Sequence, residues 1–141
     1  MKPVLITGVT GQDGSYLADL LVEEGCEVYG LVRRSSVPNT RRIDHLIYGA
    51  AGKEGRFHLV EADLCDELSL YRALETIRPR ELYNMAAQSH VASSFNIPDY
   101  TADATGLGPL RLLEAIRRME LPCRFYQASS SEMFGKVVEV P

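Results

Sequence analysis

Three glycines spaced three apart, Gly8, Gly11 and Gly14, follow directly on the first apolar run and constrain this chain more than any other feature. Val4, Leu5 and Ile6 form that run, the pattern of a short strand buried on both faces. Leu17, Leu20 and Leu21 then recur at helical spacing, and Gly25 stops the helix. The glycines therefore occupy a strand-to-helix turn at the start of a βαβ unit. There, Gly8 permits the tight turn, Gly11 lets backbone approach a pyrophosphate, and Gly14 lets the helix pack close to the sheet. The helix N-terminus adds free N–H groups and a partial positive charge. The spacing is GxxGxxG rather than GxGxxG, and its context is the one a dinucleotide turn requires. A glycine-rich turn that binds nothing is the plain alternative.

Strand and helix signals keep alternating. Val28 to Val32 reads as a second strand. Residues 33–55 are irregular, with a loop at Pro38, a short helix over Arg42–Tyr48 and a glycine-rich stretch over Gly49–Gly55. Phe57–Val60 reads as strand three. Asp66 suits a helix N-cap, Leu70, Leu74 and Ile77 make one helix face, and Pro79 ends it. Leu82–Met85 reads as strand four, Leu112, Ile116 and Met119 lie on a later helix, and Arg124–Ala128 reads as strand five. If that helix begins near Tyr100, Pro109 falls inside it at a cost of about 3 kcal/mol, which predicts a kink or break. This order predicts an α/β domain of Rossmann type, a doubly wound parallel sheet with right-handed crossovers. With 141 residues, 45% of them hydrophobic, the chain suits one domain with one core.

The residues after strand two select among nucleotides. An NAD site usually carries Asp or Glu there, to bind the ribose hydroxyls. This chain carries Arg33-Arg34-Ser35-Ser36. A carboxylate would repel a 2′-phosphate, whereas guanidinium groups bind it bidentately, so the expected cofactor is NADP. A solvated basic loop is the alternative. The net charge of −4, without like-charge runs, argues against nucleic acid as a partner. Cys26, Cys65 and Cys123 are odd in number and far apart, which predicts reduced thiols rather than disulfides or a metal site. The apolar run at the N-terminus is too short for a signal peptide, and no stretch approaches the roughly 20 apolar residues of a membrane span. A cytoplasmic protein that meets no membrane is expected.

Several segments together carry a resemblance. The glycine turn, Asp63-Leu64 after strand three, and Asn84-Met85-Ala86-Ala87-Gln88-Ser89-His90 after strand four look like the extended short-chain dehydrogenase/reductase superfamily. Gly11-Gln12-Asp13-Gly14-Ser15-Tyr16-Leu17, Arg33-Arg34-Ser35-Ser36, Ala87-Gln88-Ser89-His90-Val91 and Phe125-Tyr126-Gln127-Ala128-Ser129 resemble GDP-mannose 4,6-dehydratases over essentially the whole chain. The resemblance implies oxidation of a GDP-sugar at C4 with NADP, loss of water across C5 and C6, and hydride return to C6. It implies pyrophosphate contacts from Gly8, Val9, Thr10, Gly11, Gln12 and Asp13, and 2′-phosphate contacts from Arg33 and Arg34. Asp63 and Leu64 would meet the adenine. Met85, Ala86, Ala87, Gln88 and Ser89 would line the nicotinamide side, with Tyr100 also near the cofactor. Ser130 would stand beside the sugar O4, and Glu132 would take the C5 proton and help expel the C6 hydroxyl. Homodimers or homotetramers are implied, with the loop Ser35 to Arg42 reaching a neighbouring subunit's cofactor.

The superfamily's general base, a tyrosine with lysine four residues later, has no counterpart here. Positions four after the seven tyrosines hold Leu20, Arg33, Gly52, Glu75, Ala87, Ala104 and Ser130. The expectation is an N-terminal portion of a larger enzyme, five strands of an incomplete sheet, inactive alone. A nucleotide-sugar epimerase or reductase, a dehydratase acting on a GDP-heptose, and a non-catalytic NADP-binding module remain open alternatives. His90 reads equally as a substrate contact or a structural residue, and packing is the alternative for Tyr100.

Overall fold

In the computed structural model, described for residues 1–37, 39–130, 133, 135, 136, 138 and 139, five parallel strands form one sheet in the order β3-β2-β1-β4-β5. The strands are β1 (Pro3–Thr7), β2 (Glu27–Val32), β3 (Phe57–Glu61), β4 (Glu81–Asn84) and β5 (Arg124–Gln127). The helices are α1 (Gln12–Glu23), α2 (Asp44–Tyr48), α3 (Ala50–Lys53), α4 (Glu67–Ile77), α5 (Val91–Asn96), α6 (Pro98–Ala102) and α7 (Gly108–Arg118). This is the Rossmann-type doubly wound sheet. Pro38, which the sequence assigns to a loop, lies outside the described residues.

Strand alternation divides the core between the two faces of the sheet. Val4 and Ile6 of β1 point to one face, where α1, α2 and α3 cover them with Ala18, Leu21, Val22, Leu46 and Ala51. Leu5 points to the other, against Leu70 and Leu74 of α4 and Leu112 and Ala115 of α7. All three β1 residues are fully buried, as the unbroken apolar run requires. Helix α1 ends where Gly25 implies. The Gly25 N–H donates to the Val22 carbonyl and that of Cys26 to the Leu21 carbonyl, with Gly25 at φ +79°. Asp66 caps α4, accepting from the N–H groups of Leu68 and Ser69.

Two features differ from the sequence reading, and a third gives the expected break its form. The glycine-rich stretch contains α3, because Gly49 caps it while Ala50 and Ala51 propagate it. Helix α5, which has no apolar periodicity, forms around a His90 cap. The helical path through Pro98–Arg118 carries a π turn over Asp103–Leu107, immediately before Gly108 and Pro109. Pro109 thus stands in the first turn of α7, where its missing N–H costs nothing, and the π turn is the expected break. Among the described residues no helix is long and apolar enough to cross a membrane.

Candidate functional site

The sheet order places a crevice. The chain leaves β1 toward β2 on one side, and β4 later adds to the other side of β1. The connections after β1 and β4 diverge there, at the carboxyl ends of the strands, where ligands bind in folds of this type. A cleft of about 280 Å³ opens at that point, and Gly8, Arg33, Asp63, Met85 and Tyr100 stand around its wall.

Gly8 holds φ +67°, and a Cβ there would lie 2.9 Å from both the Cα and the N of Ala86. The turn after β1 is therefore pressed against the loop after β4, backbone to backbone. Gly14 is closer still, since its Cβ would stand 2.3 Å from the Gly8 carbonyl oxygen. The glycine thus serves contact between α1 and its own entry turn more than contact with the sheet. Gly11 accepts the first helical bond from the Ser15 N–H, and no side chain caps α1. An anion at this end would meet the amide donors that a capping side chain usually satisfies. Val9 points the other way. It is fully buried and fills the space left by Gly30 of β2.

Across the cleft, the Arg33 guanidinium donates from Nη1 to the Tyr100 hydroxyl at 2.7 Å, bridging the end of β2 and α6. Asp63 accepts from the Cys65 N–H at 2.9 Å and so shapes its own loop. That loop is pinned from outside. Arg111 donates to the Leu64 carbonyl at 2.9 Å and pairs with Asp103 at 2.7 Å. Gly108 lets α7 approach, as a Cβ there would lie 2.9 Å from Leu64 Cβ. Hydrogen bonding from Arg111, then from Cys65, holds the Asp103 carboxyl below its ordinary range. Burial, with the Asp103 and Asp63 carboxylates, pushes the Cys65 thiol up to about 11.

Eleven of the sequence-derived cofactor residues come together on the cleft wall: Gly8, Thr10, Gly11, Arg33, Asp63, Leu64, Met85, Ala86, Ala87, Ser89 and Tyr100. Gln12, Asp13 and Arg34 are exposed beside it. Gln88 is turned inward on its own loop: its Oε1 accepts from the His90 N–H and its Nε2 donates to the His90 carbonyl. His90 has a structural task, accepting at Nδ1 from the Ser93 N–H. Ser130 is exposed three residues beyond β5, after a left-handed turn at Ser129 with φ +63°. Ser131, Glu132 and Phe134, in the segment to which the sequence assigns catalysis, lie outside the described residues. The sequence reading omitted Leu31, Val32 and Ala104, which also line the cleft, and Arg111 behind it. For Leu31 and Val32 the signal was available, because the last residues of a strand beside the crevice must border it.

A sequence model of the GDP-mannose 4,6 dehydratase family matches residues 5–141. The chain is 54% identical over 142 residues to the GDP-mannose 4,6-dehydratase of Vibrio cholerae serotype O1, an alignment covering 99% of this chain and 38% of the relative. The chain thus spans well under half the length of that relative. Among solved structures, a UDP-glucose-4-epimerase from Stenotrophomonas maltophila, with bound NAD and formylated UDP-arabinopyranose, superposes with a TM-score of 0.83 at 20% identity. The match covers all of this chain and 40% of that one. The UDP-glucose 4-epimerase of Thermus thermophilus in complex with NAD superposes with a TM-score of 0.69 at 28% identity, over 86% of this chain and 35% of that one.

Proposed function

This chain belongs to the GDP-mannose 4,6-dehydratase family, and we propose that residues 1–141 are the NADP-binding portion of an enzyme that dehydrates a GDP-sugar. The observation that carries the reading is the cleft at the β1–β4 switch point, floored by the Gly8 turn and faced by the uncapped α1. The donor set fits a dinucleotide. Residues 8–13 offer backbone amides to a pyrophosphate, and the apolar Met85, Ala86 and Ala87 suit a nicotinamide face. Leu64 suits an adenine. Arg33, already oriented by Tyr100, and Arg34 beside it offer the charge that a 2′-phosphate needs. No carboxylate occupies that position to favour NAD.

The chemistry a nicotinamide supplies when bound is reversible hydride transfer, from C4 of the sugar at the start and to C6 at the end. Ser130 then holds the sugar O4 by its hydroxyl, while the O4 proton passes to the superfamily's tyrosine base, which residues 1–141 do not supply. Once C4 is a ketone, the C5 proton is acidic because the resulting carbanion is an enolate. Glu132 accepts that proton and returns it to the departing C6 hydroxyl, a positioned proton transfer typically worth about 10²–10⁴-fold. An epimerase needs no acid there, so Glu132 favours elimination. Hydride return to C6 with protonation of C5 by a proton drawn from solvent then yields GDP-4-keto-6-deoxymannose from GDP-mannose. We place the enzyme in the cytoplasm as a homodimer or homotetramer, with the 35–42 loop at the neighbouring cofactor.

Calorimetry on the intact protein tests the cofactor assignment. NADP should bind more tightly than NAD, and replacing Arg33 and Arg34 by Asp and Ser should erase the preference. Equal affinities in the parent would refute it. Glu132→Gln tests the reaction: NADPH absorbance should rise without 6-deoxy product or deuterium uptake at C5. Product formation at the parent rate would remove Glu132 from the mechanism.

A further inference from the structure

Thr7, Asn84 and Gln127 stand side by side on three neighbouring strands, the last paired residues of β1, β4 and β5. Thr7 and Asn84 are fully buried, whereas Gln127 is exposed. Two buried polar side chains at the ends of apolar strands need partners, and these find them in one chain of hydrogen bonds. The Ala86 N–H donates to Thr7 Oγ1 at 3.1 Å. Thr7 has one hydroxyl proton, and it goes to Asn84 Oδ1. That fixes the Asn84 amide with Nδ2 toward β5, where it donates to Gln127 Oε1 at 2.8 Å. A backbone N–H can only donate, so Thr7 Oγ1 is an acceptor toward Ala86, and its one proton is free for Asn84 Oδ1. The relay begins in the loop that lines the cleft and ends on the strand that leads to Ser130, three residues on.

We infer that Thr7 and Asn84 are positioning residues: their relay fixes the exit of β5 against the loop 85–89, so that the two halves of the site keep one geometry. The catalytic consequence rests on the dehydratase reading above, but the mechanical coupling does not. An apolar trio would pack equally well here, yet it would leave the Ala86 N–H unpartnered and the two exits free to shift independently.

Hydrogen exchange of the Ala86 amide, measured on the intact protein without nucleotide, tests the coupling. Gln127→Leu removes the far, exposed end of the relay without touching the core, on the strand next to the one that the read amide follows. It should speed Ala86 exchange by about tenfold, as should Thr7→Val, while Thr7→Ser keeps the hydroxyl and the parent rate. Gln127→Leu should also lower kcat for GDP-mannose by about tenfold while the dissociation constant for NADP stays within about threefold. A role confined to stability would lower Tm and leave kcat at 25 °C unchanged. Parent-like Ala86 exchange in Gln127→Leu overturns the relay even if Thr7→Val fails to fold. Faster exchange in a protein whose parent turns over no GDP-mannose keeps the relay and removes the dehydratase reading instead.

Discussion

Replacing Gly30 by alanine should disturb the glycine turn from beneath. A Cβ at Gly30 would lie 2.7 Å from Val9 Cγ1, 3.0 Å from Cγ2 and 3.1 Å from Cβ. Val9 is fully buried and β-branched, so it has no empty rotamer to retreat into. Overpacking of this kind costs about 1–3 kcal/mol. Against it, alanine restricts the unfolded chain and returns about 0.4–1 kcal/mol. Gly30→Ala should therefore destabilise by about 1–2 kcal/mol. Val9→Ala removes the two methyl groups that crowd the site, at about 0.8 kcal/mol each plus a cavity term, or about 2 kcal/mol together. The methyl introduced by Gly30→Ala then enters the space they leave. The double variant should be about as stable as Val9→Ala alone, a coupling of about 1–2 kcal/mol. Urea unfolding at constant slope measures the cycle. NADP titration should follow the same order, weakened in Gly30→Ala and partly restored in the double variant. Additive destabilisation would show that Val9 does not seat on Gly30 and would remove the account of how the turn is held.

Two further outcomes concern titrating groups. Glu81 is held below the ordinary carboxylate range, by the Lys2 ammonium first and then by the Tyr83 phenol and the Arg124 charge. A lowered folded value contributes stability above the ordinary carboxylate pKa and loses it as pH falls through the folded one. Lys2→Met should therefore cost stability at pH 7, by under about 1 kcal/mol for a half-exposed partner, and cost nothing at pH 2; equal losses at both would refute the pairing. Burial pushes the Cys123 thiol up to about 11, the value Cys65 also reaches, so both should carry roughly a hundredfold less thiolate at pH 8 than in the unfolded chain. Labelling with a thiol reagent should be slow until urea is added, and rapid labelling of the native protein would contradict it.

The alternation of apolar runs with helical periodicity was enough to read five strands and the three longest helices, because all of these elements except β5, which has no buried residue, bury a face and burial leaves a pattern. Helix α5 left none: Val91 and Phe95 are exposed, and the helix rests on its His90 cap. The glycine turn was legible because Gly8 and Gly14 answer to backbone contacts that no other residue allows. Its tether was not, since Val9 and Gly30 are 21 residues apart and only the β1–β2 register brings them together. The polar ends of the strands misled in another way. Asn84 and Gln127 read as ordinary residues within the strands Leu82–Met85 and Arg124–Ala128, Thr7 drew no reading, and only their alignment across three strands makes them a unit.

The π turn over Asp103–Leu107 sets an angular phase. One extra residue in an otherwise helical path advances everything upstream by about 100° around the axis and about 1.5 Å along it. Tyr100 lies upstream of the turn and faces Arg33, while Leu112 lies downstream and faces the core. With uninterrupted α-helix between them, an orientation that buries Leu112 would swing Tyr100 off the cleft wall. The turn is open on its outer side, where a Cβ at Gly106 would meet nothing within 4 Å. The wall facing Arg33 is indexed by a residue count rather than by a contact.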